Sequence, residues 1–132
     1  MAEFVLTILT PDGAFFEGPA EHAVFRTTEG DVGILAGHAD YIAALISGPM
    51  KVTRQGSFRR GAVHGGVLKV HDNKVTVLAS ACEWADEIDV ERARRAEQRA
   101  REQMAVYTSG KEFDLAQAKL KRALTRLRVT GA

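Results

Sequence analysis

The chain has 132 residues, 45% hydrophobic and 27% charged, with a formal net charge of +1. That length fits one compact domain, or a small domain with an appendage, and excludes a multidomain enzyme. No run reaches the roughly 18 apolar residues of a membrane span, the first ten residues read as neither secretory signal nor transit peptide, and the single Cys82 excludes an internal disulfide, all of which suit a soluble cytosolic protein.

The charge divides unevenly. Residues 1–87 carry seven Lys or Arg against eleven Asp or Glu, and residues 88–132 carry eleven against six. Glycine and proline place the same boundary, since all three prolines and ten of the twelve glycines lie before residue 67. Helix breakers so concentrated favour short strands separated by turns, the pattern of a sandwich or barrel.

Strands are predicted over 4–9, 14–17, 21–28, 33–35, 42–46, 50–54, 57–63, 67–71 and 75–78. Phe4, Leu6 and Ile8 share one face and Val5, Thr7 and Leu9 the other; Val75 and Val77 alternate with Thr76 and Leu78 in the same way. Pro11-Asp12-Gly13 and Asp72-Asn73 supply turn chemistry, the second predicting a tight hairpin.

From Asp86 the apolar period changes from two to about 3.6. Val90, Ala93, Ala96, Ala100, Met104 and Tyr107 form one helical stripe, with Asp86 or Asp89 available as N-cap. Ser109-Gly110 is expected to stop this helix, and Ser109 with Glu112 resembles a capping box for the next. Phe113, Ala116, Leu120, Ala123, Leu124 and Leu127 then make a second stripe, so the two helices form an antiparallel hairpin. An alanine-rich stripe buries little area, so the hairpin must lean on the sandwich or on a partner.

Recognisable catalytic motifs are missing: there is no phosphate-binding glycine loop and no nucleophile elbow. His22, His38, His64 and His71 lack ligand spacing and read as turn or sheet-surface residues rather than a metal site. Cys82 is followed by Glu83 and flanked by no base, so it reads as a half-buried thiol, not a nucleophile. No catalytic residue and no metal are expected.

Four stretches go further: Thr10-Pro11-Asp12-Gly13; Thr28-Glu29-Gly30-Asp31-Val32-Gly33-Ile34-Leu35-Ala36-Gly37-His38; Gly65-Gly66-Val67-Leu68-Lys69-Val70 with its hairpin; and Ile88-Asp89-Val90-Glu91-Arg92-Ala93. In this order, over nearly the whole chain, they resemble the epsilon subunit of bacterial F-type ATP synthases. The chain departs from that pattern at Ala36 and Asp40, where many relatives have proline, at His64, where a small hydroxyl residue is common, and at Trp84.

The resemblance implies an N-terminal antiparallel β-sandwich over 1–86 and a C-terminal α-helical hairpin over 87–132. It implies a non-catalytic rotor subunit, peripheral on the cytoplasmic face of the bacterial inner membrane, coupling the gamma subunit to the c-subunit ring during proton-driven ATP synthesis. Glu29, Gly30 and Asp31 take the place of the c-ring contact, although by residues alone they form an ordinary acidic turn. His38, Ala39, Asp40, Tyr41 and Ile42 take the place of the gamma contact.

The resemblance also implies that the hairpin extends into the catalytic alpha/beta head and blocks hydrolysis, with Lys119, Lys121, Arg122, Arg126 and Arg128 available for acidic partners. In some relatives the stretch at Ile88-Asp89 and Arg92-Ala93 belongs to an ATP site on the folded hairpin, which implies Glu83, Ile88, Asp89, Arg92, Ala93, Arg99, Arg122 and Arg126 here. ATP would be a regulatory ligand and no cofactor is required.

Helix geometry bears on this separately. With Gly110 as the turn, Arg99 lies level with Lys121 and beside Arg122, while Arg92–Arg99 and Arg122–Arg126 each repeat along one face. Four guanidiniums around one patch would cradle a triphosphate; the competing reading is a solvated face with ordinary pairs such as Glu97–Arg101. Two other classes stay open: a nucleic-acid-binding adaptor using the basic hairpin, and a ligand-binding sandwich with the helices as a lid.

Overall fold

Alternating apolar residues give the first half of the chain strands with one buried face each. The computed structural model describes residues 2–131, so Met1 and Ala132, the outer ends of the two expected domains, lie outside it. Its strands are β1 (Phe4–Thr10), β2 (Gly13–Ala20), β3 (His22–Thr27), β4 (Gly30–Leu35), β5 (Tyr41–Arg54), β6 (Ser57–His71), β7 (Lys74–Ala79) and β8 (Cys82–Trp84). A single 3-10 turn over Ala85–Glu87 leads into α1 (Val90–Val106) and α2 (Lys111–Thr130).

The hydrogen-bonded order is β2-β1-β7-β6-β5-β3-β4, with β8 also on β6. β5 and β6 belong to both layers of the sandwich. The first part of β5 and the last part of β6 join β7, β1 and β2; their other parts join β3, β4 and β8. Phe4, Leu6, Ile8, Phe25, Ile34, Met50, Leu68, Val70 and Val77 fill the space between the layers. Each such side chain contributes roughly 1.5–3 kcal/mol by leaving water.

Three expectations about the strands change. The predicted breaks within 42–54 and 57–71 are not breaks, because the β5–β6 ladder runs from Tyr41 opposite Val70 to Arg54 opposite Ser57. Gly66 lets β6 pass close to β7: its φ is +136°, and an added Cβ would collide with the Leu78 carbonyl. β8 was missed, being only three residues long. One pairing is parallel rather than antiparallel, Val5 to Leu9 against Lys74 to Leu78, which no hairpin constrains. The predicted turn at Asp72-Asn73 is present, both residues having positive φ (51° and 59°) as a tight two-residue hairpin requires.

Asp89, not Asp86, caps α1, its carboxylate accepting from the Arg92 amide at 3.1 Å. The capping box at Ser109 does not form. α1 ends at Val106, Tyr107 is extended, and Gly110 (φ +89°) occupies the N-cap of α2 with no side-chain hydrogen bond. Ala93 and Ala100 on α1 and Ala116 and Ala123 on α2 are buried, as the small-residue stripes predict, whereas Tyr107 and Leu124 are exposed. α2 packs on β5 and β6, and α1 packs chiefly on α2.

Candidate functional site

α2 meets the sandwich through a chain of polar side chains. Ser47 and His64 are opposite each other on β5 and β6. The Ser47 hydroxyl lies 3.0 Å from His64 Nδ1 and 3.2 Å from the Thr125 hydroxyl of α2, which donates to the Lys121 carbonyl at 2.8 Å. His64 Nε2 is 2.8 Å from Glu83 Oε1, and Arg126 Nε donates to the same oxygen at 2.6 Å. His64 is therefore buried beneath the hairpin and not a turn or surface residue, because α2 covers its strand face. Hydrogen bonding from His64 and then Arg126 outweighs desolvation and pulls the Glu83 carboxyl down to about 2, keeping it ionised.

Above this seam runs a groove between α1, α2 and the 3-10 turn. A cavity of about 390 Å³ is lined by Glu83, Ile88, Asp89, Arg92, Ala93, Arg99 and Arg126, joined by Glu87 and Ala96. A second, of about 280 Å³, continues along the hairpin past Arg99, Arg122 and Arg126 to Gln103 and Lys119. The two share Ala96, Arg99 and Arg126, so all eight residues of the expected nucleotide site line one continuous groove. Small alanines and four guanidiniums line it, and the Glu83–Arg126 pair lies within it. Such an arrangement can hold a polyanion with donors on several sides. Arg59 supports the carboxylate end from below, reaching Asp86 at 2.8 Å and Glu87 at 2.9 Å while stacking on the Trp84 ring. This guanidinium holds the Asp86 carboxyl below the ordinary range.

The five basic residues expected to meet the catalytic head do not form one cluster. Lys119, Arg122 and Arg126 line the groove. Arg128 instead borders a separate cavity with Lys51 and Arg60, and Lys121 lines neither. Helical periodicity separates them, since residues three or four apart share a face and neighbours do not.

Glu29 sits in the β3–β4 turn, and Gly30 and Asp31 open β4 opposite Thr27 and Arg26. The Thr27 hydroxyl accepts from the Glu29 amide at 3.1 Å and donates to the Gly30 carbonyl at 2.7 Å. Asp31 is committed to Arg26 (2.8 Å), which lowers its pKa, whereas Glu29 is exposed. His38, Ala39, Asp40, Tyr41 and Ile42 lead into β5. His38 Nδ1 is 2.7 Å from the Ala39 carbonyl, its ring meets Tyr41 edge-on, and Asp40 is 3.0 Å from His71. Ile42 is 69% exposed, and Val5, Val67 and Leu78 are exposed apolar residues on the outer face of the same sheet, interspersed with Lys69 and Lys74. Those three were missed; alternation marks them as outward-facing, and only their exposure together reveals a surface. Cys82 is half-buried, and desolvation pushes its thiol up to about 12, which leaves it protonated and unreactive.

Comparison with known proteins gives a consistent family. Residues 3–85 match the family model described as ATP synthase, Delta/Epsilon chain, beta-sandwich domain, and residues 86–131 match that of the long alpha-helix domain. The ATP synthase epsilon chain of Ruminococcus albus is 52% identical over 99% of this chain and 98% of its own length. That of Caldicellulosiruptor saccharolyticus is 40% identical over 98% and 94%. Among solved structures, a chain of the Euglena gracilis mitochondrial ATP synthase (OSCP/F1/c-ring) superposes with a TM-score of 0.73 at 25% identity, over 99% of this chain and 79% of that one. A chain of the Tetrahymena thermophila central stalk/c-ring assembly shares the fold at a TM-score of 0.65 and 17% identity, over 96% and 95%.

Proposed function

We propose that this chain, which belongs to the delta/epsilon family of ATP synthase subunits, serves in the central stalk as an epsilon subunit that couples gamma to the c-ring and restrains ATP hydrolysis through its hairpin. The family match over both halves, with the arginine groove that spans the folded hairpin, carries this reading. The division of labour follows the charge: residues 1–86 make the stalk contacts and residues 87–132 regulate. Ile42, Val67, Leu78 and Val5 offer gamma exposed apolar side chains on one outer sheet face, with His38, Ala39, Asp40 and Tyr41 at its edge. Glu29 offers a carboxylate to the polar loops of the c-ring, on a turn made rigid by Thr27 and Gly30. Membrane association is indirect, through the complex; among the described residues no helix is long and apolar enough to cross a membrane. Catalysis belongs to the alpha/beta head, and no cofactor is needed here.

The groove fits ATP as a regulatory ligand. Arg92, Arg99, Arg122 and Arg126 would hold its phosphates; Ile88, Asp89 and Ala93 would meet the base, with Glu83 at the end of the groove. Because α1, α2 and β8 all line it, occupancy would favour the folded hairpin over one extended along gamma, where Lys119, Lys121, Arg122, Arg126 and Arg128 would meet acidic segments of the head. Calorimetric titration of ATP into the full chain tests this: saturable binding abolished by Arg92→Ala supports the sensor. No binding at millimolar ATP would transfer control of the hairpin to gamma, the head or the proton-motive force. In the assembled ATPase, neutralising Arg122 and Arg126 together should relieve inhibition, and unchanged inhibition would refute their role. The nucleic-acid adaptor and lidded-sandwich readings are set aside because the family match spans both halves of the chain; co-purification with membranes and an ATPase would separate them from the stalk role.

A further inference from the structure

We propose a second anion site, separate from the groove, where the last turn of α2 meets the sandwich; its ligand is a small phosphate monoester or carboxylate carried on an apolar body. The site is a cavity of about 310 Å³. Its cationic wall is Lys51, Arg60 and Arg128, and its apolar surface comes from Val24, Pro49 and Val129.

Charge makes the argument. Lys51 and Arg60 stand directly opposite each other in the β5–β6 ladder, where like charges repel. The hairpin then adds Arg128 to the same cavity. Asp31 is the acid on its lining, and both its oxygens already accept from Arg26, at 2.8 and 3.4 Å. Among the described residues, none of the three cations forms an ion pair. Lys51 and Arg60 lie 4.3 and 5.8 Å from the ring centroid of the exposed Phe58, whose π-face offsets their repulsion without neutralising them. Three cations gathered over an apolar surface suit a ligand with a charged head and a body that leaves water.

This cavity is distinct from the arginine groove. Arg126 and Arg128 are two residues apart, about 200° around the helix, so the two sites flank α2. Each is built jointly by helix and sandwich residues, but here Val24, Pro49, Lys51 and Arg60 belong to the sheet and Arg128 and Val129 to the hairpin. An occupant therefore bridges the two halves and holds the hairpin down by mass action, independently of any nucleotide.

The test is titration of phenyl phosphate into the full chain, followed by amide shifts, with inorganic phosphate as the headgroup alone and benzoate as the carboxylate form. Expected is one saturable site, shifts centred on Val24, Lys51 and Val129, slower hydrogen exchange in the last turn of α2, and weaker binding of inorganic phosphate. Arg60→Gln and Arg128→Gln should each weaken binding about threefold to tenfold, and the surface control Arg101→Gln should not. Shifts centred on Ala96 and Arg99, equal binding of phenyl phosphate and inorganic phosphate, or no saturation by about 10 mM would each overturn the proposal. A failure of ATP to bind the groove would leave these outcomes untouched.

Discussion

The sandwich buries Phe25, Ile34, Met50 and Leu68 between two layers. The hairpin buries Ala93, Ala100, Ala116 and Ala123, and meets the sandwich through two hydroxyls, an imidazole and an ion pair, with Val129 as its buried apolar contribution near the end of α2. The first kind of contact has no equivalent in water. The second can be exchanged for hydrogen bonds to solvent at small net cost. One chain thus contains a body packed through large apolar side chains and an arm docked largely through polar ones, and the proposed movement of the hairpin would break the second kind of contact and spare the first.

The largest test of this contrast is Phe25→Ala. Removing a fully buried ring should cost about 3–5 kcal/mol, lower the urea midpoint, and strip exchange protection from α2 along with the strands. A hairpin that kept its protection after the sandwich unfolded would break the contrast, because the arm would then stand alone. Glu83→Gln should act on the arm selectively. Losing a charge-assisted pair that is partly solvent-exposed should cost about 1–2 kcal/mol of docking, read as faster exchange in α2 with the β1 and β7 amides unchanged.

The same carboxylate sets a pH limit. Its pKa in the fold is about 2 against an ordinary 4.5, so its stabilisation is fully present above 4.5 and disappears as pH falls toward 2. Exchange in α2 should therefore accelerate across that acid window, and Glu83→Gln should remove this component. The smallest effect is expected at Arg101, paired with Glu97 on the solvent side of α1. Arg101→Ala should cost only about 0.3–0.5 kcal/mol in urea unfolding.

Local regularities made much of this legible. Period-two alternation places Leu6 and Val77 in the core, and the 3.6 period aligns Arg92 with Arg99 and Arg122 with Arg126, because both patterns act over neighbouring residues. Turn chemistry was less reliable: Gly65-Gly66 suggests a break, yet backbone pairing with β5 and β7 carries the strand through. The seam was hidden for a different reason. Ser47, His64 and Thr125 come from three elements, and nothing local in a β-strand marks His64 as the residue a helix will cover. The family resemblance supplied Glu83 for the groove; its link to His64 required the fold.

The parallel pairing of β1 with β7 bears on how the protein is made. Phe4, Leu6 and Ile8 leave the ribosome well before the strand that completes their sheet, which emerges only after residue 79. At roughly 5–20 residues per second, that is a wait of roughly 4–14 s. Throughout it the β1–β2 hairpin carries an apolar face and an unpaired edge, which gives holding chaperones a binding target and makes a translational pause before β7 a source of aggregation.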